Sequence, residues 1–155
     1  MLVGQHYQNG YVCDNIETAI AVFRARGLEK DPMIIPVDQT VDTPDGPKRQ
    51  KSRICMFGLN GVQYELIEVE IDETGAYANA QDNGGAMRFH HICMRVPDYA
   101  AFREAVDQQD LPLVFERNSG PGSLSFAYLD GRKAFGHYLE YTCMPDPMWE
   151  QISAM

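Results

Sequence analysis

FHHICMRVPD, residues 89–98, decides how this chain is read. Residues 89–96 run as a mostly apolar strand and end directly on Pro97-Asp98. The fixed φ of proline and an aspartate able to accept a free backbone N–H both favour the start of a helix. Phe102, Ala105 and Val106 then recur at helical spacing, which predicts a helix with one buried face. The same order stands earlier in the chain. Residues 5–13 (QHYQNGYVC) read as a strand, Asn15 as a helix cap, and Ile16, Ala19, Ile20 and Phe23 as an apolar helical face that stops at Gly27.

Each strand–helix pair is followed by three more strand-like segments. In the first half these are residues 33–38, confined to a sheet edge by Pro36, then 52–58 and 62–70, the last two joined by Asn60-Gly61, a strong hairpin signal. Residues 40–50 (TVDTPDGPKRQ) read as a polar, turn-rich loop. In the second half the strands are 112–116, 123–129 and 136–143, with turns at 119–122 and Asp130-Gly131, and a short helix is expected over 147–154. The fold class is therefore α+β: two βαβββ modules, 1–71 and 88–144, a linker at 72–87 and a tail at 145–155. Two such units would curl into a cupped mixed sheet with the helices outside and a cleft at the concave face.

Composition narrows the function. The 155 residues carry 22 Asp+Glu against 13 Lys+Arg, a net charge of −9, so neither nucleic acid nor an anionic membrane is an expected partner. The absence of a long apolar run and of a basic leader points to a cytoplasmic protein. Cys13, Cys55, Cys93 and Cys143 are widely spaced in apolar runs and are expected as buried, reduced thiols.

Four polar residues stand where strands should be mostly apolar. Gln8 and His91 occupy the first strands of the two halves, 83 positions apart, and Glu65 and Glu140 occupy the last strands, 75 apart. The eight-residue difference is assigned to the 40–50 loop. Strict alternation puts His6, Gly10 and Val12 on the face of Gln8, Phe89, Cys93 and Arg95 on that of His91, and Tyr138 and Thr142 on that of Glu140. Under a twofold relation of the halves, Gln8, Glu65, His91 and Glu140 converge. One imidazole, two carboxylates and one amide oxygen suit a divalent cation such as Zn, Ni, Co, Mn or Fe. His6, Tyr138 and Cys93 are the candidates to line the substrate cleft.

His91 to Asp98 resembles the HIGIAVPD-type strand-to-helix junction of the vicinal oxygen chelate (glyoxalase/bleomycin resistance/dioxygenase) superfamily. Asn9 to Ala19 resembles the same junction in a first module, Tyr64-Glu65-Leu66-Ile67-Glu68 its module-ending ELLEP pattern, and Asp130-Gly131 with Gly136 to Tyr141 its DPDG…G-x-x-[IL]-E ending. The resemblance implies a metal at Gln8, Glu65, His91 and Glu140. It implies a glyoxalase-like lyase or isomerase/epimerase that stabilises an enediolate or enolate of a small carbonyl substrate, with Glu140 moving the proton and Glu65 serving the opposite face. A homodimer is also expected, with Met33, Ile34 and Ile35 as an apolar edge. The positions that carry Arg and Asn in glutathione-dependent glyoxalase I hold Val12 and Val69 here, so glutathione contacts are not expected. The alternatives are a metal-free, bleomycin-resistance-like binding protein and an iron-dependent extradiol dioxygenase. The latter would need His6 to replace the histidine that Gln8 displaces.

Overall fold

The computed structural model describes residues 2–153. In the first half, β1 (Gln5–Cys13) leads into α1 (Ile16–Arg24), followed by β2 (Ile34–Thr43), β3 (Gly46–Leu59) and β4 (Val62–Asp72). In the second half, β5 (Met87–Arg95) leads into α2 (Tyr99–Val106), then β6 (Leu113–Arg117), β7 (Ser125–Leu129), the single turn α3 (Arg132–Phe135) and β8 (Tyr138–Cys143). A last helix, α4 (Asp146–Ser153), closes the described chain; position 154, where that helix was expected to end, and the outer limits 1 and 155 lie outside the described residues.

The eight strands form a closed barrel in the order β1-β4-β3-β2-β6-β7-β8-β5. Helices α1 and α2 start as their sequences dictate. The side chain of Asn15 accepts the N–H of Thr18 at 2.8 Å, and that of Asp98 accepts the N–H of Ala101 at 3.1 Å. The Ile16 N–H donates to Glu68 Oε2 at 2.7 Å, so a strand carboxylate also neutralises the positive end of α1. Ile16, Ala19, Ile20 and Phe23 of α1 pack on Cys55, Phe57 and Leu66, outside the barrel. Tyr99, Phe102 and Val106 of α2 pack equivalently on Ala127, Leu129, Leu139 and Tyr141, with Ala105 only half-buried. Cys13, Cys55 and Cys93 are buried free thiols, and Cys143 is partly exposed.

The pairing register carries the internal symmetry. β1 and β5 run antiparallel, with Gln8 opposite Cys93 and Gly10 opposite His91. If Gln8 is equivalent to His91, these two pairs are images of one another, as a twofold axis between the strands requires. Parallel pairing extends the relation: Gln63 and Glu65 of β4 stand opposite Gln8 and Gly10, while Tyr138 and Glu140 of β8 stand opposite His91 and Cys93. Glu65 and Glu140 are thus equivalent at the 75-residue offset.

The 40–50 segment is strand rather than loop. β2 and β3 pair without interruption from Ile34–Cys55 to Thr43–Gly46, and only Pro44-Asp45 form the turn, with Gly46 at φ 106°. Its prolines and charges suggested a loop, but Pro36 lies on the open edge of β2, and alternating Thr40, Val41, Asp42 and Thr43 suit a strand with one wet face. The extra residues of the first half therefore lengthen a hairpin. β2 meets β6 at the single pair Asp42–Glu116, which makes this the weakest seam of the barrel. Residues 72–87 also depart from a free connector: Ala76 is buried, and Tyr77, which opens a 3-10 turn over 77–79, packs against the barrel interior.

Two bulges break strict alternation. Tyr7 is an extra residue in β1, between the pairs His6–Met94 and Gln8–Cys93; His90 is an extra residue in β5, between His91–Gly10 and Phe89–Tyr11. They fall 83 residues apart, at equivalent places in the two modules. Each turns the residue before a candidate ligand inward.

Candidate metal centre

Two rows of side chains cross the four strands at the symmetry axis. One reads Glu65, Gly10, His91, Tyr138; the other reads Gln63, Gln8, Cys93, Glu140. Gly10 is the gap in the first row. A Cβ added there would lie 1.8 Å from His91 Cε1, so the imidazole occupies the space that a side chain at position 10 would fill. Lying across Gly10, the ring places Nε2 3.4 Å from Glu65 Oε2 and 3.1 Å from Glu140 Oε2. His91 is 0 % exposed, and the two carboxylates 13 % and 12 %. Ligand atoms of these three residues lie within 4.8 Å of one another.

The electrostatics suit a cation. Burial raises the Glu65 carboxyl above its ordinary range, and the charge of Glu140 adds to this. Burial also penalises a protonated His91, but the hydrogen bonds it donates to Glu140 and Glu65 outweigh this and hold the imidazolium up to about 9. A buried nitrogen facing two carboxylates needs positive charge between them, as a proton or as a metal ion. One imidazole and two carboxylate oxygens suit Zn, Ni, Co, Mn or Fe(II) better than a thiolate-type structural site. The residues present therefore fit a divalent ion.

Gln8 is buried on the same face, and its side-chain nitrogen donates to Gln63 Oε1 at 2.7 Å. That bond directs the amide nitrogen to β4 and leaves the carbonyl oxygen as the atom suited to a metal. Cys93 is buried beside Glu140, and burial pushes its thiol far above the ordinary value.

Other expected side chains lie elsewhere. The bulge at Tyr7 takes His6 off the face of Gln8: His6 is exposed, and its ring bonds Asn9 Oδ1 at 3.0 Å. Tyr7 turns inward instead, its hydroxyl 3.0 Å from Thr142 Oγ1 and accepting from the Cys93 thiol at 3.4 Å. The bulge at His90 likewise turns Phe89 outward, against Tyr11 and His137. Tyr138 is buried on the expected strand, but Asn79 of the 72–87 segment donates to its hydroxyl at 3.1 Å, and Arg132 stacks on its ring. The Tyr128 hydroxyl lies nearer the centre, 3.4 Å from His91 Nε2.

Sequence reasoning missed Tyr7, His90, Tyr77 and Tyr128. Alternation assigned the first two to the outside, and nothing local marks the bulges. Tyr77 came from a segment read as connector.

A profile of the "Glyoxalase/Bleomycin resistance protein/Dioxygenase superfamily" matches residues 7–128. The chain belongs to this superfamily. No curated protein matches it in sequence. Among solved structures, the methylmalonyl-CoA epimerase from Mycobacterium tuberculosis superposes with TM-score 0.60 at 17% identity, covering 97% of each chain. A hypothetical protein from Bacillus halodurans C-125 does so with TM-score 0.59 at 17% identity, over 92% of this chain and 95% of that one. A Streptomyces coelicolor methylmalonyl-CoA epimerase variant in complex with 2-nitronate-propionyl-CoA gives 0.57 at 14%, over 92% and 99%. At these identities the likeness establishes the superfamily fold: a curled eight-stranded sheet with its helices outside.

Proposed function

We propose that this chain is a divalent-metal-dependent isomerase or lyase that moves a proton at the carbon beside a carbonyl of a small substrate, with epimerisation the preferred reading. The observation that carries it is His91 Nε2, buried and faced by two carboxylates at 3.1 and 3.4 Å. His91, Glu65, Glu140 and the oxygen of Gln8 would hold the ion. A bound divalent cation supplies Lewis acidity, polarising a substrate carbonyl so that the adjacent C–H becomes acidic. Glu65 and Glu140 approach the imidazole from the two modules, and an epimerase needs a proton acceptor and donor on opposite faces of one carbon. Glu140 is assigned the proton transfer and Glu65 the opposite face. The buried surroundings exclude water and raise the Glu65 carboxyl toward the range of a general base or acid. That several similar structures are methylmalonyl-CoA epimerases supports the same class.

The donor set does not favour ring cleavage by iron. Among the described residues it holds one histidine and two glutamates, and the bulge removes His6 as a substitute.

Elemental analysis of protein purified without a histidine tag should find one divalent ion per chain, lost in alanine variants of Glu65, His91 and Glu140. Methylmalonyl-CoA is the first substrate probe; metal-dependent deuterium exchange at its C2, abolished in Glu140→Gln, is the expected result. A metal-free wild type that takes up no zinc, cobalt or nickel sinks the proposal. The reading includes a homodimer through the open edge of β2, where Met33 is 73 % exposed beside Ile34 and Ile35. Light scattering across a concentration series should return twice the chain mass.

A further inference from the structure

His90 lies outside the set of groups that face the carboxylates, yet it is 1 % exposed and polar. Its contacts form a chain with one solution. His90 Nε2 lies 3.2 Å from the Ala76 carbonyl oxygen, which can only accept, so Nε2 carries a hydrogen. His90 Nδ1 lies 3.0 Å from His91 Nδ1. Two N–H groups cannot face each other there, so one nitrogen donates and the other accepts. The His90 ring is packed among Tyr77, Tyr128 and Tyr138. When His91 Nε2 ligates an ion, the one hydrogen left on the neutral His91 ring sits on Nδ1, so His91 Nδ1–H is the donor and His90 Nδ1 the acceptor. Nε2 of His91 then offers its lone pair on the side facing Glu65 and Glu140.

We infer that His90 is a positioning residue that locks His91 in its Nδ1–H tautomer, and that the 72–80 segment holds the lock through the Ala76 carbonyl. This deepens the metal reading above and rests on it. The same segment reaches the other ring nitrogen too: Tyr77 packs into the cluster that holds Tyr128, whose hydroxyl lies 3.4 Å from His91 Nε2. The segment is braced to do this. Asp72 accepts the N–H groups of Thr74 and Tyr77, each at 3.0 Å, and Asn79 ties Gly75 O, at 2.9 Å, to the Tyr138 hydroxyl. The bulge in β5 makes the lock possible, because without an extra residue adjacent histidines would face opposite sides of the sheet. In a metal site, a histidine whose second nitrogen is fixed by a hydrogen bond binds tighter, and loss of such a partner lowers affinity about 10–100-fold.

The test uses the full chain labelled with 15N at histidine, with and without zinc. A 15N–15N coupling across the hydrogen bond between His90 Nδ1 and His91 Nδ1 is expected in both states, with His90 protonated at Nε2. His90→Phe keeps the ring volume and removes both bonds; it should lower zinc affinity at least tenfold by competition with a chelating dye. His90→Gln, which retains one acceptor and one donor, should recover most of that loss. If zinc binds but the coupling is absent, or if the folded Phe variant binds zinc as wild type does, the lock is overturned and the metal site stands. If wild type binds no metal ion, the metal reading fails and the role given to His90 fails with it, whatever the coupling shows.

Discussion

Gly10→Ala is the smallest change that should disable the centre. Glycine is required at this position by the neighbouring ring rather than by backbone conformation. The added Cβ would lie 1.8 Å from His91 Cε1 and 2.2 Å from Nε2. An ordinary contact begins near 3.4 Å, so the ring must retreat by about 1.6 Å. It has no free direction. His90 holds Nδ1 at 3.0 Å, Tyr128 stacks edge-on at a 5.1 Å centroid distance, and the residue is fully buried. A retreat of that size takes Nε2 out of hydrogen-bond reach of at least one carboxylate. Forcing a methyl into a packed interior costs about 1–3 kcal/mol, and the lost polar contacts add to it. A loss of about 3 kcal/mol should lower Tm by roughly 6–12 °C in a domain of this size. Urea titration and elemental analysis on the same preparation measure both effects, and a folded protein without its metal is the expected result. Gly61→Ala, where no atom of the described residues beyond its chain neighbours lies within 4 Å of the added Cβ but φ is 80°, separates backbone strain from steric exclusion: it should cost stability and keep the metal. A Gly10→Ala protein that keeps full stability and full metal content would refute the placement of the imidazole over Gly10.

Zinc binding should strengthen with pH. The folded His91 holds its Nε2 proton up to about 9, above the 6.5 of a free histidine, and the ion must displace that proton. Calorimetry should show proton release and an affinity rising about tenfold per pH unit until it levels off near 9. The same raised pKa gives the metal-free fold a contribution that is complete below pH 6.5 and lost as pH climbs through 9, so denaturation midpoints should fall across that window. Asn15→Ala removes the α1 cap and should cost about 1 kcal/mol in urea titration while leaving metal content unchanged. Arg95→Ala removes the ion pair to Asp146 at 2.7 Å and the stacking on Trp149, which itself packs edge-on against Tyr7. The emission of the single tryptophan should shift to longer wavelength as α4 loosens.

The repeat was legible in the sequence because it is written in local chemistry. Asn15 and Asp98 cap helices through bonds that span three residues, and Asn60-Gly61 forms its turn with both residues at positive φ. The offsets of 83 and 75 followed from strand alignment alone, and the register reproduces them. The 40–50 segment was misread because Pro and charge argue for a loop only where backbone groups lack partners. β3 supplied those partners along the whole of β2.

By itself, then, the sequence determined the two modules, their order, and which histidine and carboxylates stand at equivalent positions, since each depends on periodicity and on neighbours a few residues apart. Tertiary structure alone decided what those residues face. The bulges at Tyr7 and His90 exist only through pairing across strands some 80 residues apart. They exchange His6 for Tyr7, expel Phe89 and bring His90 in behind His91. The burial of Ala76 was decided in the same way: its backbone carbonyl has a partner only because β5, folded back from the second module, presents a histidine to it.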